Sequence, residues 1–286
     1  MPHESTISCG RDRALWAASQ AAVWAVVLVF ALILFDLLRY GLAGVSWSFL
    51  TEAPRSAGRE GGIGPMLVST GLILFVALAA TIPLGLCAAV AMAEWLPYRA
   101  RFARFARISL DVLAGMPSIV FGLFGNAFFS IYLGMGLSIW SGGLTLACMA
   151  LPLFVRATEE ALRSVPESYR AGGDALGMTR TRTLLRIVLP SALPGIMAGV
   201  ILAIGRALAE TAALIFTSGY VDRMPGALSD SGRALSVHIY DLAMNVTGGS
   251  ANAYSSALTL IALLILINGM AVWLTHHGLY RRLIKT

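Results

Sequence analysis

Two ionisable residues stand inside one of the most apolar stretches of the chain: IGRALAETAAL places Arg206 and Glu210 four residues apart, which on a continuous helix puts both on one face. An arginine near the middle of a bilayer costs about 2.5 to 3.5 kcal/mol on insertion scales, so the pair must face a bundle interior or a watery path rather than lipid. A planar guanidinium fork matches the paired oxygens of phosphate or carboxylate groups, and an adjacent glutamate would keep such binding weak enough for release. The competing reading is an internal ion pair that only locks helices together. Arg156, in LPLFVRATEEAL, is a second candidate. It stands at the end of an apolar run, where an anion leaving the path would meet it or where its stem would simply snorkel to the interface. Gly115, Pro117 and Ser118, with Gly122 in AGMPSIVFGLF, interrupt another run. They either kink it or free backbone carbonyls near the path.

The elements that hold these residues are set by composition. Of 286 residues 57% are hydrophobic and 13% charged, and the mean hydropathy is +0.76; soluble domains carry about a quarter charged residues. The solvent is therefore mostly lipid, and an ordinary cytosolic enzyme is excluded. A spanning helix needs about 20 apolar residues. Six runs qualify: 14–38, 65–93 (with Pro83 inside), 108–133, 137–155, 193–216 and 257–274. The first follows Arg11 and Arg13 but is too long for a signal peptide and lacks its cleavage site. The fold class is all-α, a polytopic membrane protein with six spans. Its chain divides into 1–64, the first helix and an outer loop, and 65–286, the remaining five helices with a long inner loop at about 156–192.

Orientation follows from basic residues, which resist translocation. One side receives Arg11, Arg13, Arg99, Arg101, Arg104, Arg107, Arg156, Arg163, Arg170, Arg180, Arg182, Arg186, Arg281, Arg282 and Lys285; the other receives Arg39, Arg55, Arg59, Arg223 and Arg233. That imbalance places both termini in the cytoplasm. The net charge of +6 is spread through the connections rather than gathered in a stripe, so no nucleic-acid partner is implied. Arg99, Arg101, Arg104 and Arg107, interleaved with Phe102 and Phe105, read most simply as an anchor against anionic lipid. Gly195 and Gly199 make a G-x-x-x-G step for close helix packing.

Enzyme signatures are missing. There is no G-x-S-x-G or H-E-x-x-H, the four histidines (His3, His238, His276, His277) cannot gather with carboxylates, and Cys9, Cys87 and Cys148 are too far apart for a metal site. A phosphate-binding loop needs a lysine after its glycines, and Lys285 is the only lysine. The chain thus has no ATPase site of that type, and no cofactor or metal is expected. Any energy for transport comes from a separate subunit or an ion gradient. Gradient-driven carriers commonly line their paths with ionisable residues; here only Arg206 and Glu210 lie clearly mid-membrane, which favours an external motor.

The inner loop is patterned. Leu162, Val165, Tyr169, Leu176 and Met178 fall on short helical turns flanked by charges, as a helix docking into a groove requires. Gly177 suits a helix stop. This stretch resembles the cytoplasmic "EAA" loop of ABC importer permeases: Ala171, Gly172 and Gly173 occupy the EAA positions, Gly177 follows, and Ile187, Leu189 and Pro190 close the pattern. Ala171 replaces the family's glutamate, and Glu167 or Asp174 are the candidate stand-ins. The resemblance implies that Glu167, Tyr169, Ala171, Gly172, Gly173, Asp174 and Gly177 form the surface on which the ATPase docks.

Over most of its length the chain is similar to one permease family, the PstA-type subunits of phosphate-specific ABC importers. The likeness is carried by GGIGPMLVST, LAGMPSIVFGLF, LPLFVRATEEALRSVPESYR and GRALAETAALIFT. Ala209, Ala213 and Ser69 depart from residues usual in that family. The resemblance implies a type I (MetI-like) permease in the cell inner membrane, translocating inorganic phosphate. It also implies as partners a second, PstC-like permease, two PstB-like ATP-binding subunits and a PstS-like phosphate-binding protein. The family's functional arginines and acid would fall on Arg156, Arg206 and Glu210. Phosphonate, phosphite, sulfate or molybdate remain alternative cargoes, and a gradient-driven carrier is the alternative class.

Overall fold

A computed structural model of the chain describes residues 5–96 and 101–274. Arg99, Arg281, Arg282, Lys285, His3, His276 and His277, used in the readings above, lie outside the described residues. The chain opens with α1 (Ser5–Gly41), a short α2 (Trp47–Thr51), and a hairpin of β1 (Pro54–Arg55) and β2 (Glu60–Gly61). The strands pair antiparallel with Pro54 opposite Gly61 and Arg55 opposite Glu60. Next come α3 (Gly64–Val90), which runs on into a π turn (Ala91–Trp95), then α4 (Arg101–Ala114) and α5 (Ser118–Gly125), the last continued by π-type winding over Asn126–Tyr132. The order is completed by α6 (Ile139–Arg163), α7 (Glu167–Ala175), α8 (Arg180–Thr183) with a π turn (Leu184–Val188), α9 (Leu189–Leu208), α10 (Ala212–Thr217), α11 (Leu235–Met244) and α12 (Ser250–Leu274).

Among the described residues five helices are long and apolar enough to cross a membrane, and six spans result if the bent pair of residues 101–114 and 118–132 counts as one. The run expected at 108–133, interrupted at Gly115–Ser118, is this pair, which bends by 101° and begins earlier, at Arg101. Proline cannot donate a helical hydrogen bond, and it pushes the preceding residue out of the α region. Pro117, extended at ψ 141°, therefore ends α4 and starts α5. The span expected at 137–155 instead runs to Arg163, a full two turns further. The span expected at 193–216 begins as early as Arg180 and breaks after Leu208.

At the centre stands α6, with α3 and α9 packed along it. Association of helices in lipid relies on close contact of small residues, and glycines line both seams. A β-carbon at Gly143 would lie 2.5 Å from Val76 Cγ1, one at Gly85 would collide with the Phe154 ring, and one at Gly195 would come within 2.5 Å of Ala161 Cβ. Gly199 faces Ala157 at 3.1 Å, so the G-x-x-x-G step lies on the α9–α6 seam. Leu146, Met149, Phe154 and Val155 of α6 are buried against Ile73, Val76, Ala203 and Ile204. By contrast α1 packs mainly on α12, where Ser255 Oγ donates to the Gly41 carbonyl at 3.0 Å. The rest of α1, with Trp24 68% and Phe30 67% exposed, presents apolar surface that lipid or another chain must cover.

At the hairpin end of the bundle, α11 inserts His238 under Gly58, whose backbone is left-handed at φ +86°. A side chain at Gly58 would press on the imidazole, 2.9 Å away at Cε1. Arg233 Nη1 lies 3.4 Å from His238 Nδ1 and 3.3 Å from Asp241 Oδ2. Burial first, and the Arg233 charge second, push the His238 pKa down to about 4, although Asp241 and Asp222 oppose the shift. The folded ring thus stays neutral through a range in which an unfolded one, with a pKa near 6.5, takes up a proton. Stability is at its full value above pH about 6.5 and is lost as pH falls toward 4, by up to about 3 kcal/mol. His238→Gln should flatten this fall. Thermal unfolding midpoints of the two proteins in detergent at about pH 7.5 and about pH 4.5 check it, and equal acid sensitivity would rule out the histidine as its source.

Candidate functional site

The expectation that Arg206 and Glu210 share one helix face is corrected. After Leu208 the winding tightens, with the Ala209 amide bonded to the Gly205 carbonyl at 3.2 Å and the Glu210 amide bonded to the Ala207 carbonyl at 3.4 Å, and the helix stops. Glu210 lies in the break, where its Oε1 accepts the Ala213 amide at 3.2 Å and so caps the start of α10. Its carbonyl accepts Ser236 Oγ of α11 at 2.6 Å. A short polar side chain able to satisfy free amides competes with helix continuation, and A-E-T-A supplies it here. Arg206 remains on α9, half-buried, and makes no ion pair or side-chain hydrogen bond among the described residues. A guanidinium offers five donors, and in an apolar span they call for an acceptor from outside the fold.

The second break lies alongside. Gly115 and Pro117 occupy the gap between α4 and α5, and Ser118 opens α5. One turn further, a β-carbon at Gly122 would stand 2.8 Å from the Ala213 Cα. The missing side chain lets α5 cross α10 backbone to backbone. Two interrupted spans therefore meet where Glu210 caps its helix, the kind of place at which non-helical backbone is tolerated at membrane depth.

Arg156 is neither a free anchor nor alone. Its Nε donates to Asp111 Oδ1 at 3.0 Å, and Nη2 closes a forked pair with the same carboxylate. Nη1 is 3.7 Å from Glu159 Oε2. Glu159 is buried, 4% exposed, and takes Arg107 Nη2 at 2.7 Å and Arg163 Nε at 3.0 Å. Arg107, expected to anchor in lipid, is instead 9% exposed. The amphipathic α4 turns its other arginines outward and this one onto α6. Of the network, the Arg156–Glu159 and Glu159–Arg163 pairs, three and four residues apart on one helix, had a local sequence signal. Arg107 and Glu159 are 52 positions apart, and nothing in a single sequence joins them.

At the other end from the hairpin, α7 lies at the edge of the bundle, against α8 and the π turn that follows it. Gly177, at φ +71°, ends it: the Met178 amide bonds the Gly173 carbonyl at 3.0 Å and the Gly177 amide bonds the Asp174 carbonyl at 2.9 Å, a left-handed helix stop that glycine adopts without strain. Ala171, Gly172, Asp174 and Gly177 are exposed, Tyr169 is 48% and Leu176 79% exposed, and Glu167 points outward as well. Gly173 is buried against Thr183, which fixes α7 across α8. Leu162 and Val165, read as part of a docking face, are buried, because α6 extends to include the first and the core covers the second. A cavity of about 210 Å³ between α7 and the π turn of α3 is lined by Glu94, Glu167, Arg170, Asp174 and Arg180. A second cleft of about 490 Å³ is lined by Tyr169, Arg186, Pro190 and Pro194. Arg170 bonds Glu94 at 2.6 Å, and that hydrogen bond, before its charge, raises the arginine's pKa further.

An all-α bundle of interrupted spans around α6, with a short helix held outside it, is the fold of the membrane-spanning chains of ABC importers. An inward-facing MetNI methionine ABC transporter matches with a TM-score of 0.57 at 18% identity, over 75% of this chain and 93% of that one. A bacterial ABC transporter involved in import of the acidic polysaccharide alginate matches with a TM-score of 0.62 at 14% identity, over 95% and 98%. The chain belongs to the binding-protein-dependent transport system inner membrane component family, whose model matches residues 81–277. It is a transport component and a multi-pass membrane protein. Its relatives include the probable ABC transporter permease protein YqgI of Bacillus subtilis, 34% identical over 89% of this chain and 90% of that protein. The phosphate transport system permease protein PstA 1 of Mycobacterium tuberculosis is 34% identical over 91% and 83%, and PstA of Yersinia pestis 33% identical over 82% and 79%.

Proposed function

We propose that the chain is the permease subunit through which an ABC importer passes inorganic phosphate into the cell. The observation that carries the reading is Arg206: a half-buried guanidinium in an apolar span with no partner among the described residues. The phosphate-transport relatives agree with it. Arg206 offsets the anion's charge at mid-membrane. Glu210, by capping α10, holds the break that opens the backbone beside it, and Gly115, Pro117 and Ser118 provide the facing break. Arg156, now held by Asp111, meets the anion on the inner side. The chain lies in the cell inner membrane with both termini cytoplasmic. It pairs with a second, PstC-like permease, receives phosphate from a PstS-like binding protein and carries no ATPase site. Two PstB-like subunits supply ATP hydrolysis, closing on the 167–177 segment and alternating the path between its two openings. Glu167 or Asp174 replaces the charge absent at Ala171.

Reconstituted vesicles holding the purified complex test the cargo. Uptake of labelled phosphate should depend on ATP and be displaced by unlabelled phosphate far better than by sulfate, molybdate, phosphonate or phosphite. Equal displacement by one of these reassigns the cargo, and uptake that survives ATP depletion rejects the importer class. Docking is tested at Gly177. Valine in a left-handed conformation costs about 1–2 kcal/mol at that residue, whereas asparagine tolerates it. Gly177→Val should release the ATPase on purification or uncouple its hydrolysis from uptake, and Gly177→Asn should retain both. Normal transport by the valine variant would remove α7 from the docking surface.

A further inference from the structure

The turn Ala91–Trp95 is where the lower ends of four helices are tied together. Its winding is wider than an α-helix, with the Leu96 amide reaching back to the Ala91 carbonyl at 2.9 Å. That widening leaves the Met92 carbonyl free to face sideways, and it accepts Arg163 Nη2 at 2.7 Å and Arg107 Nη2 at 3.4 Å. Two residues on, Glu94 takes the forked guanidinium of Arg170: Nη2 lies 2.6 Å from Oε1, and Nε lies 3.3 Å from both oxygens. Arg170 also donates to the Leu162 carbonyl at the end of α6 and to the Val165 carbonyl just beyond it, each at 2.9 Å. One side chain of α7 thus joins α7, α6 and α3. Both partners are sheltered, the arginine side chain 18% and the glutamate 16% exposed, so the pair is little screened by solvent.

We propose that Glu94 and Arg170 are the joint through which a displacement of α7 reaches the membrane spans. The outer face of α7 is exposed, and a load applied there is passed inward by Arg170 onto the turn that ends α3. From the same turn the Met92 carbonyl passes it to Arg107 and Arg163, and through Glu159 to Arg156 on α6. A π turn supplies the second state that such a joint needs. Restoring α-helical bonding shifts the register by one residue and swings Glu94 about 100° around the helix axis. Neither Glu94 nor Arg170 meets the solute in this scheme; both are positioning residues. The inference rests on α7 being the segment that the ATPase grips.

The test uses the complete complex in vesicles, with ATP inside, binding protein outside and labelled inorganic phosphate as probe. Glu94→Gln keeps the shape and one acceptor but removes the charge that holds the fork. It should leave the ATPase bound and hydrolysing while uptake falls by about 5- to 150-fold, the usual span of a coupling between sites. Glu94→Asp, which keeps a carboxylate for the fork on a stem one carbon shorter, should retain more of the uptake than Glu94→Gln, an order that damage to folding through lost side-chain length would reverse. Uptake by Glu94→Gln at the parental rate overturns the proposal. So does loss of the ATPase from the purified complex, since the pair would then serve docking alone. A wrong assignment of α7 itself shows differently, as full uptake by Gly177→Val with Glu94→Gln also normal.

Discussion

Arg206→Gln is expected to abolish phosphate uptake while leaving the protein folded and its ATPase attached. A charge-assisted hydrogen bond contributes about 1.5–3 kcal/mol, and losing one or two on a passing anion slows uptake by roughly 10- to 150-fold or more. The structural side of the prediction is sharper. An arginine that holds helices together leaves its partner orphaned when it is removed, at a cost of about 3–5 kcal/mol. Arg206 has no ion pair among the described residues, so glutamine there strands nothing and removes a charge that the apolar span disfavours. The thermal midpoint should therefore stay level or rise as uptake disappears. Arg206→Lys separates charge from shape: a compact ammonium keeps the field but loses the planar fork, and should give intermediate uptake with weaker discrimination between phosphate and other oxyanions. Parental uptake by the glutamine variant would take Arg206 out of the path. Lost uptake with a collapsed midpoint would return it to the role of a helix lock.

The contrast between this arginine and its neighbours marks what a single sequence could convey. Long apolar runs are local features, so the spans and the inner segment with Gly177 were legible from hydropathy and spacing. Helix ends inside those runs were not. The break at Ala209–Thr211 is set by the Glu210 carboxylate bonding the Ala213 amide, a choice between two local hydrogen-bond schemes that hydropathy does not register. Pro117 announced an interruption, but the 101° turn leaves α4 packed on α6, with Arg107 on Glu159, and the size of that turn is not written in the local sequence. Arg107 and its exposed neighbours Arg101 and Arg104 look alike in sequence because they recur at three-residue steps on one amphipathic helix. Which one turns inward depends on a carboxylate 52 residues away. Leu162 and Val165 were misread for the same reason: an apolar residue next to charges fits a docking face or a core margin equally well until its neighbours are known.

The same buried carboxylate gives the largest stability effect expected in the molecule. Glu159→Ala removes the carboxylate that pairs Arg107, whose side chain is only 11% exposed, and breaking a buried pair from one side costs about 3–5 kcal/mol. The remaining arginines soften the loss unevenly. Arg156 keeps Asp111 and Arg163 keeps the Met92 carbonyl at 2.7 Å, whereas Arg107 reaches that carbonyl at 3.4 Å. The damage should therefore be traceable to one guanidinium. Glu159→Leu with Arg107→Met replaces the pair by apolar groups of similar volume, a change that is often neutral or stabilising. It should recover most of the thermal midpoint that Glu159→Ala loses. Midpoints of the purified variants in detergent decide the matter: a loss under about 1 kcal/mol for Glu159→Ala would mean that water reaches the site, and failure of the double variant would mean that Arg156 or Arg163, not Arg107, bears the cost. Because Glu159 touches arginines from both α4 and α6, a recovered fold with lost uptake would further separate what this network does for stability from what it does for transport.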